Sequence, residues 1–399
     1  MKWSLQVARL AGIPIRVHAS FLLLLAWVAY AHYRRDPDLR GVGLAVLFLC
    51  LVFAVVVLHE LSHALTARAY GIRTREITLW PIGGISHLER MPEQPAQEFW
   101  IAVAGPLLNV ALALLLGALV VATRGAEGLV VADFEHDLLA SLVWVNAALA
   151  VFNLLPAFPM DGGRILRALL SMALGRVAAT QVAAGVGRAM AILFALIGLA
   201  VNPFLLLIAL FVWLGGSAEV SHAELRAALS GHPVAHAMTR ALATLPADAP
   251  LGQAARLLVH RGQRIVPLLG PAGLEGVLCE RDLLRGLARG GLEAPAKQFA
   301  RRRLPAVSPR TPLLEAFELL GRRRAPCLLV EEEGRLLGVL TREGIGHFVS
   351  VLSALRGEPP PLELGNQDAL GGGHEGFGPS PASAEGAGPD RRAPPVTRL

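Results

Sequence analysis

The apolar run from Gly41 to Leu58 passes without interruption into His59-Glu60-Leu61-Ser62-His63. A stretch of that length in a bilayer must satisfy its own backbone hydrogen bonds, which a helix does. Helical continuation fixes the geometry of the polar residues that follow. Four positions at 100° each bring His63 to within about 40° of His59 one turn on, so both imidazoles reach one metal ion from one face. On a polar soluble helix such a match would read as chance. On a lipid-embedded helix an ionisable group costs on the order of 3 kcal/mol, and it persists where it has a partner or a task.

Zinc bound by two histidines needs at least one more protein ligand and an open position for water, with a carboxylate nearby as general base. Glu60, beside the histidines, is the candidate base. The further ligand should come from another buried segment. Asn153-Leu-Leu-Pro156-Ala-Phe-Pro159-Met-Asp161-Gly162-Gly163 follows the apolar run Leu138 to Leu155 and offers Asp161. Its two prolines break helical hydrogen bonding and predict an irregular turn ahead of Asp161. Taken alone, Asp161-Gly162 reads as an ordinary interfacial turn; the needs of the first motif give it weight as a ligand.

With these motifs, and with Gly105-Pro-Leu-Leu-Asn109, the chain resembles the site-2 protease family of intramembrane zinc metalloproteases over roughly Ile13 to Leu214. The resemblance implies one Zn2+ per chain on His59, His63 and Asp161, Glu60 as base, and a membrane-spanning protein substrate cut within or beside the bilayer. The third motif departs slightly from the family's usual form, since Pro156 and Pro159 both precede Met160-Asp161. By the same resemblance Asn109 and Asn153 support the site or polarise the scissile carbonyl, as preorganised amide donors can. Interhelical hydrogen bonding, common for amides in membrane helices, is the competing role.

The chain's 399 residues are 54% hydrophobic, and several runs approach the roughly 20 residues that cross a bilayer. An integral, multi-pass protein of the cell membrane is expected, in contact with membrane lipid. No removable signal peptide is expected, because Met1 to Arg16 lacks an apolar core and Val17 to Tyr33 is long enough to remain as a span. Cys50, Cys279 and Cys327 lack paired or metal-ligand spacing and read as small buried residues rather than a disulfide framework. The net charge of +6 reflects Lys and Arg that more often set membrane orientation than bind nucleic acid, and no nucleic-acid partner is expected.

About six transmembrane helices are predicted, at Val17 to Tyr33, Gly41 to Tyr70, Phe99 to Ala122, Asp137 to Leu155, Val177 to Val201 and Pro203 to Leu214. Arg188 interrupts the fifth, and only Asn202-Pro203 separates it from a short sixth. An interfacial helix leading into one kinked span is the alternative. With six spans and a cytoplasmic N-terminus, the pieces before the C-terminal domain place 11 Lys and Arg on the cytoplasmic side against 4 opposite. The positive-inside rule favours that orientation, with the zinc site nearer the cytoplasmic face. Between the second and third spans, Ile72 to Arg90 alternates around a turn like a small β-hairpin. Its edge would pair with an unwound substrate by β-augmentation, or the segment would plug the bundle as a re-entrant loop. His18 and His87 are expected to pack or hydrogen-bond rather than ligate.

The membrane domain is thus drawn at 1–216, followed by a linker at 217–232. After it comes a soluble α/β part in which a helical period and two short β runs recur after about 62 residues, from Pro250 to Pro312. It resembles a tandem pair of cystathionine-β-synthase (CBS) domains, at 233–291 and 292–355, which implies pseudo-symmetric packing, an adenine nucleotide ligand between the repeats, a homodimer through the pair, and a cytoplasmic location. The family's ribose signature ends in Ser or Thr followed three residues later by Asp. Cys279 with Asp282 and Thr341 with Gly344 each keep half of it, which leaves Asp282 and Thr341 as the candidate nucleotide residues. Arg301 to Arg303 and Arg322 to Arg324 would contact phosphates or anionic lipid, or form a solvated basic face. Residues 356–399, rich in Gly, Pro, Ala and Ser, read as a disordered tail. Two functions outside proteolysis compete: a metal transporter or channel gated by the CBS pair, and an inactive scaffold that binds no metal.

Overall fold

The computed structural model describes residues 4–81, 83–92, 94–130, 137–271 and 273–355. The described residues form two compact units. Residues 4–236 with 308–319 and 351–355 make the first, and 237–307 with 320–350 the second. The expected tail at 356–399 lies outside the described residues.

The first unit opens with a hairpin of β1 (Ser4–Leu10) and β2 (Ile13–His18), which the sequence reading did not anticipate. α1 (Ala19–Arg35) follows, its first turn capped by His18, whose Nδ1 accepts from the Ser20 amide. α2 (Leu39–Ala69) is 31 residues long, and Asp38 caps it by accepting from the Arg40 and Gly41 amides. The expected hairpin after it is present as β3 (Thr74–Trp80) and β4 (Gly83–Leu88). It joins β1 and β2 in one sheet of order β1-β2-β3-β4, with β2 and β3 parallel. This sheet packs on α2 beside the histidine motif: Ile13, Ile15 and Ile77 bury against Ala64, with Val57 and Leu61 around them.

α3 (Pro95–Arg124) starts with proline in its first turn, where a missing N–H costs nothing, and ends at Gly125. α4 (Leu138–Asn153) is capped by Asp137, which accepts from the Leu139 and Ala140 amides. A turn at 154–160, the irregular segment expected ahead of Asp161, leads to α5 (Asp161–Leu174), an amphipathic helix to which the sequence gives no assignment. α6 (Arg176–Ala200) and α7 (Phe204–Leu229) complete the bundle.

By length and composition α2, α3, α6 and α7 can cross a membrane. α1 and α4, with 17 and 16 residues, stand where the other two expected spans were drawn. Arg188 does not break α6: its Nε reaches back to the Ala184 carbonyl and the helix continues. α7 likewise runs on through most of the expected 217–232 linker to Leu229. Cys50, expected to be buried, is exposed on α2, on a helix of lipid-spanning character.

After α7 the chain repeats one motif twice, mostly within the second unit. In the first copy β5 (Leu245–Pro246) runs parallel to β6 (Ile265–Gly270), which pairs antiparallel with β7 (Gly273–Cys279). α8 (Leu251–Arg261) lies between β5 and β6, and α9 (Glu280–Gly290) follows β7. The second copy has β8 (Ala306–Val307), α10 (Leu313–Arg323), β9 (Cys327–Glu332), β10 (Arg335–Thr341) and α11 (Arg342–Leu355), with the same pairings. Ile265, Val277 and Cys279 from one sheet meet Cys327, Leu329 and Val339 from the other in a shared core. The repeat seen in the sequence is therefore a repeat of structure.

Candidate metal centre and its surroundings

His59 and His63 sit one turn apart on α2, each 6% exposed, and Asp161 opens α5 at 7% exposed. Their donor atoms form a nearly equilateral triangle. His59 Nε2 and His63 Nε2 are 3.1 Å apart, and each is 3.2 Å from Asp161 Oδ2. Tetrahedral zinc with ligand bonds of about 2.0–2.1 Å sets neighbouring donors about 3.3 Å apart, so the three fit one ion and leave a fourth position. They are the metal-ligand cluster found among the described residues.

A second contact fixes how His63 presents itself. Its Nδ1 lies 2.6 Å from the Ile101 carbonyl, which can only accept, so Nδ1 donates there and the ring is oriented with Nε2 toward the triangle. His59 Nδ1 is buried without a hydrogen-bond partner among the described residues. Both rings stand edge to face at 4.7 Å between centroids.

Glycine lets the backbone close on this centre. A Cβ on Gly105 of α3 would lie 2.6 Å from His59 Nε2 and closer still to His63 Nε2. A Cβ on Gly84 of β4 would lie 2.7 Å from Glu60 Cγ, which puts the edge strand of the sheet directly over the candidate base. Gly162 and Gly163 nest the first turn of α5 against the 154–158 backbone, and a Cβ on Gly163 would meet the Ala157 carbonyl carbon at 2.6 Å. The turn that delivers Asp161 is itself packed: Ala157 and Met160 bury with Ala191, Ala209 and Val212, and Phe158 with Ala183 and Ala184.

Asn109 lies one turn beyond Gly105, fully buried, with neither amide atom hydrogen-bonded among the described residues. Asn153 is half-buried and its amide donates to the Leu149 carbonyl at 3.0 Å. Asn146, two turns earlier on α4 and not singled out in the sequence, is fully buried, and its Oδ1 has no hydrogen-bond partner among the described residues. His18 stacks on Trp80 at 3.9 Å, the packing role expected of it.

In the second unit the two candidate nucleotide residues are already engaged. Asp282 is gripped by Arg301, whose Nε donates to Oδ2 at 2.6 Å, and by Arg285. Thr341 accepts from the Gly344 amide at 2.9 Å in the first turn of α11. A cleft of about 370 Å³ lies beside Arg301, Arg303, Arg323 and Arg324. Hydrogen bonding between Cys279 and Cys327 pushes the Cys279 thiol down and the Cys327 thiol up from their ordinary range.

The family model described as peptidase family M50 matches residues 47–136 and 126–197, and the CBS domain model matches 234–289 and 296–349. A zinc metalloprotease of Methanocaldococcus jannaschii is 29% identical over 361 residues, covering 88% of this chain and 98% of that protein. Stage IV sporulation protein FB of Bacillus subtilis is 33% identical over 124 residues, 31% of this chain and 40% of that one. A solved site-2 protease from Methanocaldococcus jannaschii is 34% identical, with a TM-score of 0.42, over 55% of this chain and 95% of its own.

Proposed function

The chain belongs to the site-2 protease family, peptidase family M50, as an integral membrane zinc metalloprotease with an appended CBS pair, and on that premise we propose that it cleaves membrane-spanning proteins at His59, Glu60, His63 and Asp161. The observation that carries this reading is the buried triangle of two imidazole nitrogens and one carboxylate oxygen at zinc spacing. Zinc there would polarise a carbonyl and bring the acidity of water near neutrality. His63, oriented by Ile101, and His59 turn their Nε2 atoms toward the site, and Asp161 brings a carboxylate oxygen to it. Glu60 takes a proton from the attacking water onto its carboxylate and passes it to the leaving nitrogen. Gly84 brings the β4 backbone beside Glu60, so an unwound substrate segment adding to that edge would lie next to the base. Asn109, with a free buried amide, is suited to hold the scissile carbonyl.

The finer assignments rest on charge. The distribution of Lys and Arg supports a cytoplasmic N-terminus and CBS pair. The arginine-lined cleft supports an anionic ligand on the pair, with nucleotide phosphates as the chemistry of choice, and modulation of cleavage as its purpose.

The test separates chemistry from metal. Glu60→Gln should retain one zinc per chain by elemental analysis and lose cleavage of a membrane-spanning substrate by about 10²-fold or more. His59→Ala should lose both. Undiminished proteolysis by the Glu60 variant would remove Glu60 from the mechanism, and undiminished zinc in the His59 variant would remove the triangle.

A further inference from the structure

Six residues after Asp161, α5 carries Arg167, a guanidinium 3% exposed in a protein that spans a membrane. Its Nε and Nη2 both donate to Glu98 Oε1, at 2.8 and 2.5 Å, and Nη1 donates to Glu219 Oε2 at 2.7 Å. Glu98 is in the first turn of α3, the helix of Gly105, and Glu219 is on α7. The second oxygen of Glu98 receives Arg176, the first residue of α6, at 3.3 Å, and Arg176 also donates to the Pro92 carbonyl. Two guanidiniums and two carboxylates thus cancel in charge while joining four helices. The face of the Arg167 guanidinium lies 4.9 Å over the ring of Phe158, three residues before Asp161.

The same helix that holds Arg167 also touches the turn. Gly215, one turn before Glu219 on α7, packs so closely on Pro159 that a Cβ would lie 2.6 Å from the proline Cδ. α7 therefore contacts the segment around Asp161 on both sides: at Pro159 two residues before it, and at Arg167 six residues after. A buried ion cluster is a poor way to gain stability, because desolvation offsets most of the attraction. It is an effective way to select one geometry, and a metal ligand at the first residue of a helix needs its helix fixed to within about 0.5 Å.

We propose that Arg167 is a positioning residue of the metal centre: clamped by Glu98 and Glu219 and stacked on Phe158, it holds α5 and the preceding turn so that Asp161 Oδ2 completes the triangle, with α7 as the strut. This rests on the reading that His59, His63 and Asp161 hold zinc. Arg167 acts on Asp161 through α5 and does not touch the reacting atoms.

The experiment uses the full chain in detergent, with zinc affinity by chelator competition, the visible spectrum of the cobalt-substituted protein, the thermal midpoint, and kcat and KM measured separately. Arg167→Met and Glu219→Gln should each weaken zinc binding by about ten- to a hundredfold, as loss of groups that orient ligands does, and should alter the cobalt spectrum. They should lower kcat with KM within about twofold, since substrate contacts are untouched. Arg167→Lys, keeping the charge without the fork, should recover part of the affinity. A folded Arg167→Met chain with wild-type zinc affinity and cobalt spectrum would overturn the proposal even if its thermal midpoint falls, because that is the signature of a purely structural cluster. If Arg167→Met does not fold, Glu219→Gln decides by the same readouts. A wild-type chain that binds no zinc would instead overturn the metal assignment, which keeps the two failures apart.

Discussion

Gly105 shows how one residue sets what the centre can hold. Its α-carbon stands where any side chain would enter the space between His59 Nε2 and His63 Nε2. Gly105→Ala should therefore drop zinc from one per chain toward zero by elemental analysis, while helical content by circular dichroism stays near wild type, because alanine is itself a good helix former. Zinc retained at wild-type affinity would mean that α3 shifts to make room. At this scale the sequence was legible where spacing alone carries the geometry. His59, Glu60 and His63 share a helical turn, and Asp161 was reached by asking what the histidines lacked. Arg167 was not legible, since an arginine on an unseen helix looks like any other basic residue until Glu98 and Glu219, 69 and 52 positions away, close on it. The asparagines divide similarly. Asn109 is buried with its amide free, whereas Asn153 donates back to its own helix and the unanticipated Asn146 is the more buried of that pair.

Among the elements, long apolar runs translated directly into helices, because in a bilayer the backbone has little alternative. The boundaries followed less well. Arg188 looked like an interruption, yet its side chain bonds to the Ala184 carbonyl and leaves the helix intact. α5 is not legible in the sequence because its polar residues, Asp161, Arg164 and Arg167, mask a buried stripe that includes Gly162, Gly163 and Ala168. The β1–β2 hairpin went unseen since Ser4–Leu10 is almost wholly exposed and shows no buried alternation to detect. The α6–α7 pair offers a test of helix packing independent of the metal. Gly198 faces α7 so closely that a Cβ would lie 3.1 Å from the Leu206 amide nitrogen. Gly198→Leu should destabilise the bundle by about 1–3 kcal/mol, the usual cost of overpacking, seen as a lower thermal midpoint. An unchanged midpoint would show that the two helices can separate at that end without loss.

For the whole molecule, the internal repeat at about 62 residues announced the second unit, since a recurring order of helix and strands is visible before any contact is known. What the cleft would accept was less visible. The half-signatures at Asp282 and Thr341 suggested a ribose site, but Arg301 occupies the carboxylate and Gly344 the hydroxyl. Four arginines line the cleft instead, so phosphate recognition should dominate over ribose recognition. Millimolar ATP should raise the thermal midpoint of the full chain, and Arg323→Ala with Arg324→Ala should abolish the rise. No rise in the wild type would leave the arginines as a solvated surface. Nor could the order of residues reveal that 308–319, inside the second repeat by sequence, folds with the first unit.

α7 gives that last fact a mechanical meaning. Within the first unit its Arg226 pairs with Glu318 at 2.6 Å, and its Glu219 pairs with Arg167 at 2.7 Å. Seven residues separate Glu219 from Arg226, two turns that return to within about 20° of the same side and rise about 10 Å along the axis. With unbroken helix between them, the two ion pairs are loaded in phase. Glu318 and the guanidinium behind Asp161 are therefore tied to nearly the same side of a single helix, two turns apart.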